Sequence, residues 1–442
     1  MTITIINGGQ YGDEGKGKIV DYLADYYDIG IRSTAGDNAG HTICVGSTTL
    51  KMRLIPSTIL KSRYSLITDD VMINPITLDE EILSLNKAGV DCKNKLMISP
   101  NAHIVLPYHK TLDALFEAGA TPIGTTKRGI GPAMADKVNR IGIRMEEFIN
   151  PKRFTLRLTE NVKRVNMQIK ALYSNDVEII DEKKIYQEFL PISERLRLYV
   201  TNTVQFIHTA LDQKCSIIIE GAQGSMNDLT YGSYPYVTSS RPVSGGLLAG
   251  AAIGPTYVDH VLSVIKPYQT RVGIGPVMAE IFGEVSKHIC DRGKEYGTVT
   301  GRQRRVMWFD SALVNYTRRI NGTTAFALAK LDVLDEIEEI KICTAYVRNG
   351  KKTEVIPLQT EIEMYEPNYI TLPGWKTPIS HIRDYKKLPT ETKNFIEKIE
   401  ELTNTPIVIV SVGSDREHTI DIKSTQNIKP GKTQQTLLEK IF

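Results

Sequence analysis

Several features are missing from this 442-residue chain, and each absence narrows its role. No apolar run reaches the roughly 20 residues that cross a bilayer as a helix, so no membrane role is expected. The five cysteines (Cys44, Cys92, Cys215, Cys290 and Cys343) are scattered without a C-x-x-C pair. That spacing excludes an obvious zinc or disulfide framework and suits reduced, packed thiols of an intracellular protein. Net charge is only +3 and like charges never cluster in a block, so a general nucleic-acid role is disfavoured. The first residues lack a basic region and a cleavage site, reading directly as a strand, Thr2-Ile3-Thr4-Ile5-Ile6. This pattern argues against secretion and for a cytoplasmic location. No internal repeat, low-complexity linker or break in composition divides the chain.

What is present is ordinary for a globular protein: 41% hydrophobic and 24% charged residues. Length allows two or three domains, or one large α/β domain with insertions, and the unbroken composition favours one domain over 1–442. Strand-like apolar runs at 2–7, 95–98, 216–220, 325–329 and 407–412 alternate with amphipathic stretches. Such alternation predicts an α/β fold with a mainly parallel central sheet. The segment about 150–213 is charged and helix-patterned, with apolar residues at Phe154, Leu158, Val162, Val165 and Ile169, and reads as a helical excursion. A hairpin is expected over 341–355, turning at Arg348-Asn349-Gly350. Ligands of parallel sheets bind at the carboxyl ends of strands, so the turns there are where chemistry is sought.

The first such turn, Gly12-Asp13-Glu14-Gly15-Lys16-Gly17-Lys18, has the spacing G-x-x-x-x-G-K of a phosphate loop. The hydroxyl that should follow, and that normally holds magnesium, is replaced by Ile19. Asp13 and Glu14 sit where acids would usually repel phosphate, which suggests a metal ligand, a general base, or both. A helix beginning near Gly17 would aim its N-terminus at an anion. Short matches of this kind also arise as plain Gly/Lys turns. The nearby Asp37-Asn38-Ala39-Gly40-His41-Thr42 adds a histidine in a small-residue turn, a candidate general acid or oxyanion partner.

Ala329-Lys330-Leu331-Asp332 directly follows an apolar run and is similar to the N-K-x-D guanine element, with alanine in place of asparagine. One carboxylate, Asp332, can accept from guanine's ring N–H and its exocyclic amine together, and the Lys330 stem can cover the base. Beside a phosphate loop, this points to GTP. Gly297-Thr298-Val299-Thr300-Gly301-Arg302-Gln303-Arg304-Arg305 puts three arginines in four residues among hydroxyls and glycines, a clamp for carboxylate or phosphate. A solvated basic turn is the ordinary reading of such a run, but Gly297, Gly301 and Trp308 suit a closing loop. Glu220-Gly221-Ala222-Gln223-Gly224 offers Gln223 as both donor and acceptor for a lactam edge. The run Gly124-Thr125-Thr126-Lys127-Arg128-Gly129-Ile130-Gly131-Pro132 has the content of a phosphate site.

Taken together these motifs resemble the adenylosuccinate synthetase family. Its signatures occur in order: G-G-Q-Y-G-D-E-G-K-G-K at 8–18, D-N-A-G-H-T at 37–42, G-T-T-K-R-G-I-G-P at 124–132 and E-G-A-Q-G at 220–224. Y-P-Y-V-T-S-S at 234–240, T-G-R-Q-R-R at 300–305 and A-K-L-D-V-L-D at 329–335 follow, so the likeness spans nearly the whole chain. The resemblance implies a GTP-dependent ligase of purine biosynthesis that joins L-aspartate to IMP through a 6-phosphoryl intermediate. It implies Asp13 as the base at the hypoxanthine ring nitrogen and His41 as donor to the transferring phosphoryl, with Lys16 and Gln223 completing the catalytic set. Mg2+ would sit on Asp13 and the Gly40 carbonyl, which accounts for the missing hydroxyl at Ile19.

By the same resemblance IMP would meet Asp13, Glu14, Gly15, Lys16, Asn38, Ala39, Gly40, His41, Thr126, Gln223, Thr238, Val272 and Arg302. Arg140 would reach IMP in the partner subunit, implying a homodimer. Thr298, Val299, Thr300, Gly301, Arg302, Gln303 and Arg304 would hold aspartate. GTP would meet Gly12 to Lys18 (Gly17 included), Gly40, His41, Thr42, Arg304, Lys330, Leu331, Asp332, Ser411, Val412 and Gly413. The chain departs from the family pattern at Val299, Thr34, Asp37, Thr230 and Arg241. Drift explains these departures simply; a 2-amino purine nucleotide such as dGMP, or another amino acid, is the sharper alternative. Viral relatives that use dGMP tend to replace the catalytic Asp, and Asp13 is intact. A catalytically weak nucleotide-binding paralogue is opposed by the retained Asp13, Lys16, His41, Gln223, Arg302 and Arg304. A regulatory GTPase is opposed by the absence of a switch-type Gln.

Overall fold

The computed structural model describes residues 1–45, 48–173, 177–296, 303–422 and 429. At its centre is a ten-stranded sheet. From one edge the strands run Thr419–Asp421, Ile407–Ser411, Ala325–Leu328, His260–Ile265, Ile3–Gly8, Ile217–Glu220, Ile29–Gly36, Tyr64–Ile73 and Leu96–Ile98, and His103–Ile104 also pairs with Tyr64–Ile73. Every pairing is parallel except that of the edge strand Thr419–Asp421. All five expected strands lie in this sheet. The expected α/β class holds.

Both faces of the sheet are covered, which is why its strands read as unbroken apolar runs rather than alternating ones. Ile3, Ile5, Ile217 and Ile219 point to one face and pack with Phe206 and Leu211 of the helix Thr203–Asp212 and Leu247 of Ser244–Ala251. Ile6, Ile218, Leu262 and Val264 point to the other, against Ile19, Val20 and Leu23 of the helix Lys16–Leu23. The strands Ile29–Gly36, Tyr64–Ile73 and His260–Ile265 were not among those expected.

The helical excursion is present as Pro151–Leu172, Glu182–Leu196 and Thr203–Asp212. Asn150 and Asp181 cap the first two by accepting from Arg153 N and from Lys183 and Lys184 N. Phe154, Leu158, Val162, Val165 and Ile169 recur at three- and four-residue spacing and are all buried. They join Leu78 and Ile82 of the helix Pro75–Lys87 in one core.

A second sheet of five strands was not anticipated as a separate layer: Tyr268–Arg271, Arg305–Asp310, Glu339–Arg348, Lys351–Thr353 and Glu366–Pro373. It contains the expected hairpin, Glu339–Arg348 with Lys351–Thr353. Asn349 and Gly350 both have positive φ at its tip, as a two-residue primed turn requires. A core including Trp308, Phe309, Ile342 and Tyr346 joins this sheet to Ile407 and Val410 of the first.

Candidate active site

Six strands of the central sheet end on one side, and their turns carry the motifs: 9–15, 37–40, 221–224, Lys266, 329–332 and 412–413. The phosphate-type loop curls because Gly12, Asp13 and Gly15 adopt φ of 97°, 58° and 91°. An aspartate tolerates that left-handed region better than most side chains. Its two acids point opposite ways. Glu14 turns inward, fully buried, and accepts from Gln10 N (3.2 Å), Gly12 N (2.8 Å) and Lys16 Nζ (2.5 Å). Gly8 makes room for it, since a Cβ there would lie 2.5 Å from Glu14 Oε2.

Glu14 is thus internal to the loop. Its carboxylate braces the loop and pairs with Lys16, leaving only its backbone to meet a ligand. Asp13 turns outward with a half-exposed carboxylate, 2.9 Å from Arg304 Nη2.

Lys18 reaches the other side of the expected nucleotide site. Its ammonium donates to Ser411 Oγ (2.6 Å), Gly413 O (2.7 Å) and His418 O (2.9 Å), away from the phosphate loop. It pins the 411–413 turn. Burial pulls its pKa down to about 8, against the opposing pull of Asp332 and Asp415.

His41 opens the hairpin His41–Val45 with Thr48–Met52, on which Thr42 also lies. Its Nδ1 stands 3.8 Å from Glu220 Oε1, and its Nε2 has no hydrogen-bond partner among the described residues. Burial lowers the imidazole pKa, the Glu220 carboxylate raises it, and Arg32 lowers it again. Glu220 is itself held by Ser57 N (2.7 Å), Ser57 Oγ (2.9 Å) and Arg32 Nη1 (3.5 Å). The free Nε2 is thus the polar atom that His41 can offer a ligand.

Asn38, Thr238 and Gln223 come together through a chain of contacts. Asn38 Nδ2 lies 3.5 Å from Thr238 Oγ1, Thr238 Oγ1 lies 3.4 Å from Ser240 Oγ, and Ser240 Oγ donates to Gln223 Oε1 at 3.3 Å. Gln223 itself holds φ +54°. Its turn packs on the phosphate loop so tightly that a Cβ on Gly224 would lie 2.2 Å from Gly12 N. Gly124 lies beside Gly273 and Ile274, which brings the Thr126 loop to the Val272 loop. Thr126, Val272 and Arg140 are exposed, Arg140 with φ +64°.

At the guanine-type element, Lys330 (φ +58°) sends its ammonium to Glu295 Oε1 (2.7 Å) and Gly293 O (3.0 Å) rather than leaving it free. Asp332 is half-buried, and burial raises its carboxyl pKa. The side chains of Leu331 and Val412 lie wholly in the core, so they can face a ligand only through backbone. In the arginine-rich run, Arg305 is taken up by a two-pronged pair with Glu280, and Gln303 Nε2 donates to Cys290 Sγ at 3.2 Å. Arg304 is the one described arginine that faces the loop. Thr298, Val299, Thr300, Gly301 and Arg302 lie outside the described residues. No cluster of three or more His, Cys, Asp or Glu side chains forms a metal site among the described residues.

The chain was compared with known proteins. The adenylosuccinate synthetase family profile matches residues 5–420. Relatives named adenylosuccinate synthetase include those of Brachyspira hyodysenteriae, 44% identical over 96% of this chain and 99% of its own, and Caldanaerobacter subterraneus, 43% identical over 96% and 100%. The fully ligated adenylosuccinate synthetase of Plasmodium falciparum superposes with a TM-score of 0.90 at 35% identity, over 96% of this chain and 100% of that one. This chain belongs to the adenylosuccinate synthetase family. The succinoaminodeoxyadenylate synthetase of cyanophage S-2L, bound to dGMP and dATP, shares the fold at 18% identity and a TM-score of 0.60.

Adenylosuccinate synthetases are GTP-dependent ligases that take IMP and aspartate, so the expected enzyme class stands. Against that family, the departure at Asp37 has a structural account. Asp37 is buried and accepts from Asn74 Nδ2 (2.8 Å) and Thr77 Oγ1 (3.1 Å), with Arg128 Nη1 at 3.5 Å. It ties the 124–132 loop to the sheet instead of facing the site. Thr34 is buried within its strand. Nothing in the structure explains Thr230 or Arg241, both exposed.

Sequence reasoning gave no role to Arg32, Glu220, Lys266 or Glu295. Arg32 had a signal, a cation inside the apolar run Ile29-Gly30-Ile31. Glu220 ended a strand and was quoted only as part of a motif. Lys266 and Glu295 carried no local signal.

Proposed function

We propose that this chain joins L-aspartate to IMP at the expense of GTP, giving adenylosuccinate, GDP and phosphate by way of 6-phosphoryl-IMP. One observation carries the reading furthest: the loop's two acids are separated, Glu14 inward as a brace and Asp13 outward with an accessible carboxylate. A loop that only held phosphate would have no use for the second acid. Asp13 takes the proton from the hypoxanthine ring nitrogen, and the 6-oxygen so activated receives the γ-phosphoryl of GTP. His41 donates to the transferring group from Nε2, in keeping with catalysis by positioning and charge neutralisation. Aspartate's amine then displaces the phosphate.

Asn38, Thr126, Gln223, Thr238, Val272 and Arg302 frame IMP; Arg302 and Arg304, with the rest of 298–304, take aspartate. Lys330, Asp332 and the 411–413 turn frame guanine. The Asp13 carboxylate and the exposed Gly40 offer hard oxygens, the donor type that magnesium takes. These two residues would hold Mg2+, which would neutralise phosphate charge. Arg140, exposed, reaches the partner's IMP in a homodimer. Residues 1–442 act as one domain, and a cytoplasmic enzyme fits these substrates. No helix among the described residues is long and apolar enough to cross a membrane.

The test is phosphate release from GTP with IMP and aspartate, then with dGMP in place of IMP, then without amino acid. Release is expected only with IMP and aspartate together. Turnover confined to dGMP would assign the enzyme to 2-amino purines, and no turnover at all would favour a binding paralogue.

A further inference from the structure

Three cations from three separate segments converge on one carboxylate that belongs to none of the motifs. Glu295 is fully buried. Its Oε1 accepts from Lys266 Nζ (3.1 Å), Lys330 Nζ (2.7 Å) and the Tyr268 hydroxyl (2.8 Å), and its Oε2 accepts from Arg304 Nη1. Lys330 opens the guanine element. Arg304 follows the substrate loop and reaches Asp13 through its other terminal nitrogen. Lys266 is wholly buried, with Thr270 Oγ1 as its other partner and the Tyr268 ring 4.9 Å beneath its ammonium. It can touch no substrate.

Burying such a charged set gives no net stability that an apolar cluster could not match. What the set does give is registry. Without Glu295, Lys330 and Arg304 would repel each other and lose the shared anchor. The two oxygens divide the work, one holding the guanine side and the other the arginine that leads to Asp13 and to the aspartate segment.

We propose that Glu295, with Lys266 as its buried counter-ion, is a positioning residue that sets Lys330 and Arg304 in one frame, so that the guanine and aspartate subsites are built together. The inference rests on the ligase reading above for its substrates, but not for its geometry. Its direct reach is to the GTP and aspartate subsites: Asn38, Thr238 and Gln223 of the IMP side make no contact with this set, and Asp13, which Arg304 touches, would bear on turnover of IMP rather than on its binding.

The experiment compares the full-length chain with E295Q and with the double variant E295Q/K266M, which removes one charge of each sign and leaves no extra buried cation. KM is measured for GTP, aspartate and IMP, GDP affinity by calorimetry, and folding by melting temperature. The expected result, in whichever variant stays folded, is a rise of about tenfold or more in KM for both GTP and aspartate. GDP affinity falls in parallel, and the KM for IMP stays within about twofold; tenfold corresponds to about 1.4 kcal/mol. Unchanged GDP affinity and KM values would overturn the proposal. So would an equal loss for all three substrates that tracks a lowered melting temperature, because that is what a merely structural role produces. A wild-type chain that binds GDP yet releases no phosphate would sink the ligase reading instead, and the GDP affinities would still decide the role of Glu295.

Discussion

The Asp13 carboxylate stands 2.9 Å from the Arg304 guanidinium, so the outward acid of the phosphate loop is paired before any substrate arrives. The Asp13→Asn variant keeps a side chain that accepts the local φ of 58° but loses the carboxylate charge proposed above as base and Mg2+ donor, together with its ion pair to Arg304. We predict that IMP-dependent phosphate release falls by about 10²–10⁴, the usual worth of a positioned general base. Circular dichroism should show the fold intact. Full activity in this variant would remove Asp13 from its assigned role.

The neighbour of His41 gives a second prediction. Burial lowers the imidazole pKa and Glu220 works against that lowering. In Glu220→Gln the opposing charge is gone, so the ring loses its proton at a lower pH than in the wild type. The alkaline limb of the kcat profile should move to lower pH, with activity on that limb falling about tenfold for each pKa unit lost. A limb that stays in place would mean that His41 donates as the neutral ring.

Asp37 gathers Asn74, Thr77 and Arg128. Replacing it by alanine strands buried donors, at a cost of about 1–3 kcal/mol, and frees the 124–132 loop. The KM for IMP should rise and that for aspartate should not. An unchanged IMP constant with the expected loss of stability would confine Asp37 to the scaffold.

Stability should depend on pH through His103. Burial, with Lys137 and Arg144 adding to it and Asp70 opposing, pulls its pKa down to about 4. Between the ordinary value near 6.5 and about 4, the unfolded chain binds a proton that the folded chain refuses. Stability is therefore present above the ordinary value and is lost as pH falls through this window. His103→Gln should flatten the slope of melting temperature against pH there. An unchanged slope would assign the acid sensitivity to other groups.

Much of this was legible in the sequence because the signals are local. Runs such as Ile217-Ile218-Ile219 suit a strand buried on both faces, and Asn349-Gly350 suits a tight turn. The phosphate loop announced itself by spacing. Yet which of its acids turned inward depended on Gly8, whose missing Cβ opens space for Glu14. Spacing alone cannot show that. Glu295 was invisible for a different reason: its partners lie 29, 27, 35 and 9 residues away, and only the folded chain brings them to one point. The contacts of Lys18 were equally invisible, because its partners Ser411, Gly413 and His418 sit about 400 residues downstream.

The position of the first strand has a consequence for how the protein is made. Ile3–Gly8 lies between Ile217–Glu220 and His260–Ile265, and pairs with no strand nearer in sequence. This strand has no partner to pair with until more than 200 further residues have been made, and its second partner comes about 40 residues later still. Non-local pairings of this kind form late and slowly. The phosphate-type loop at 9–15 is thus finished only when the second half of the polypeptide is emerging, and a chain cut short before that point carries the whole loop sequence without the walls that give it a shape.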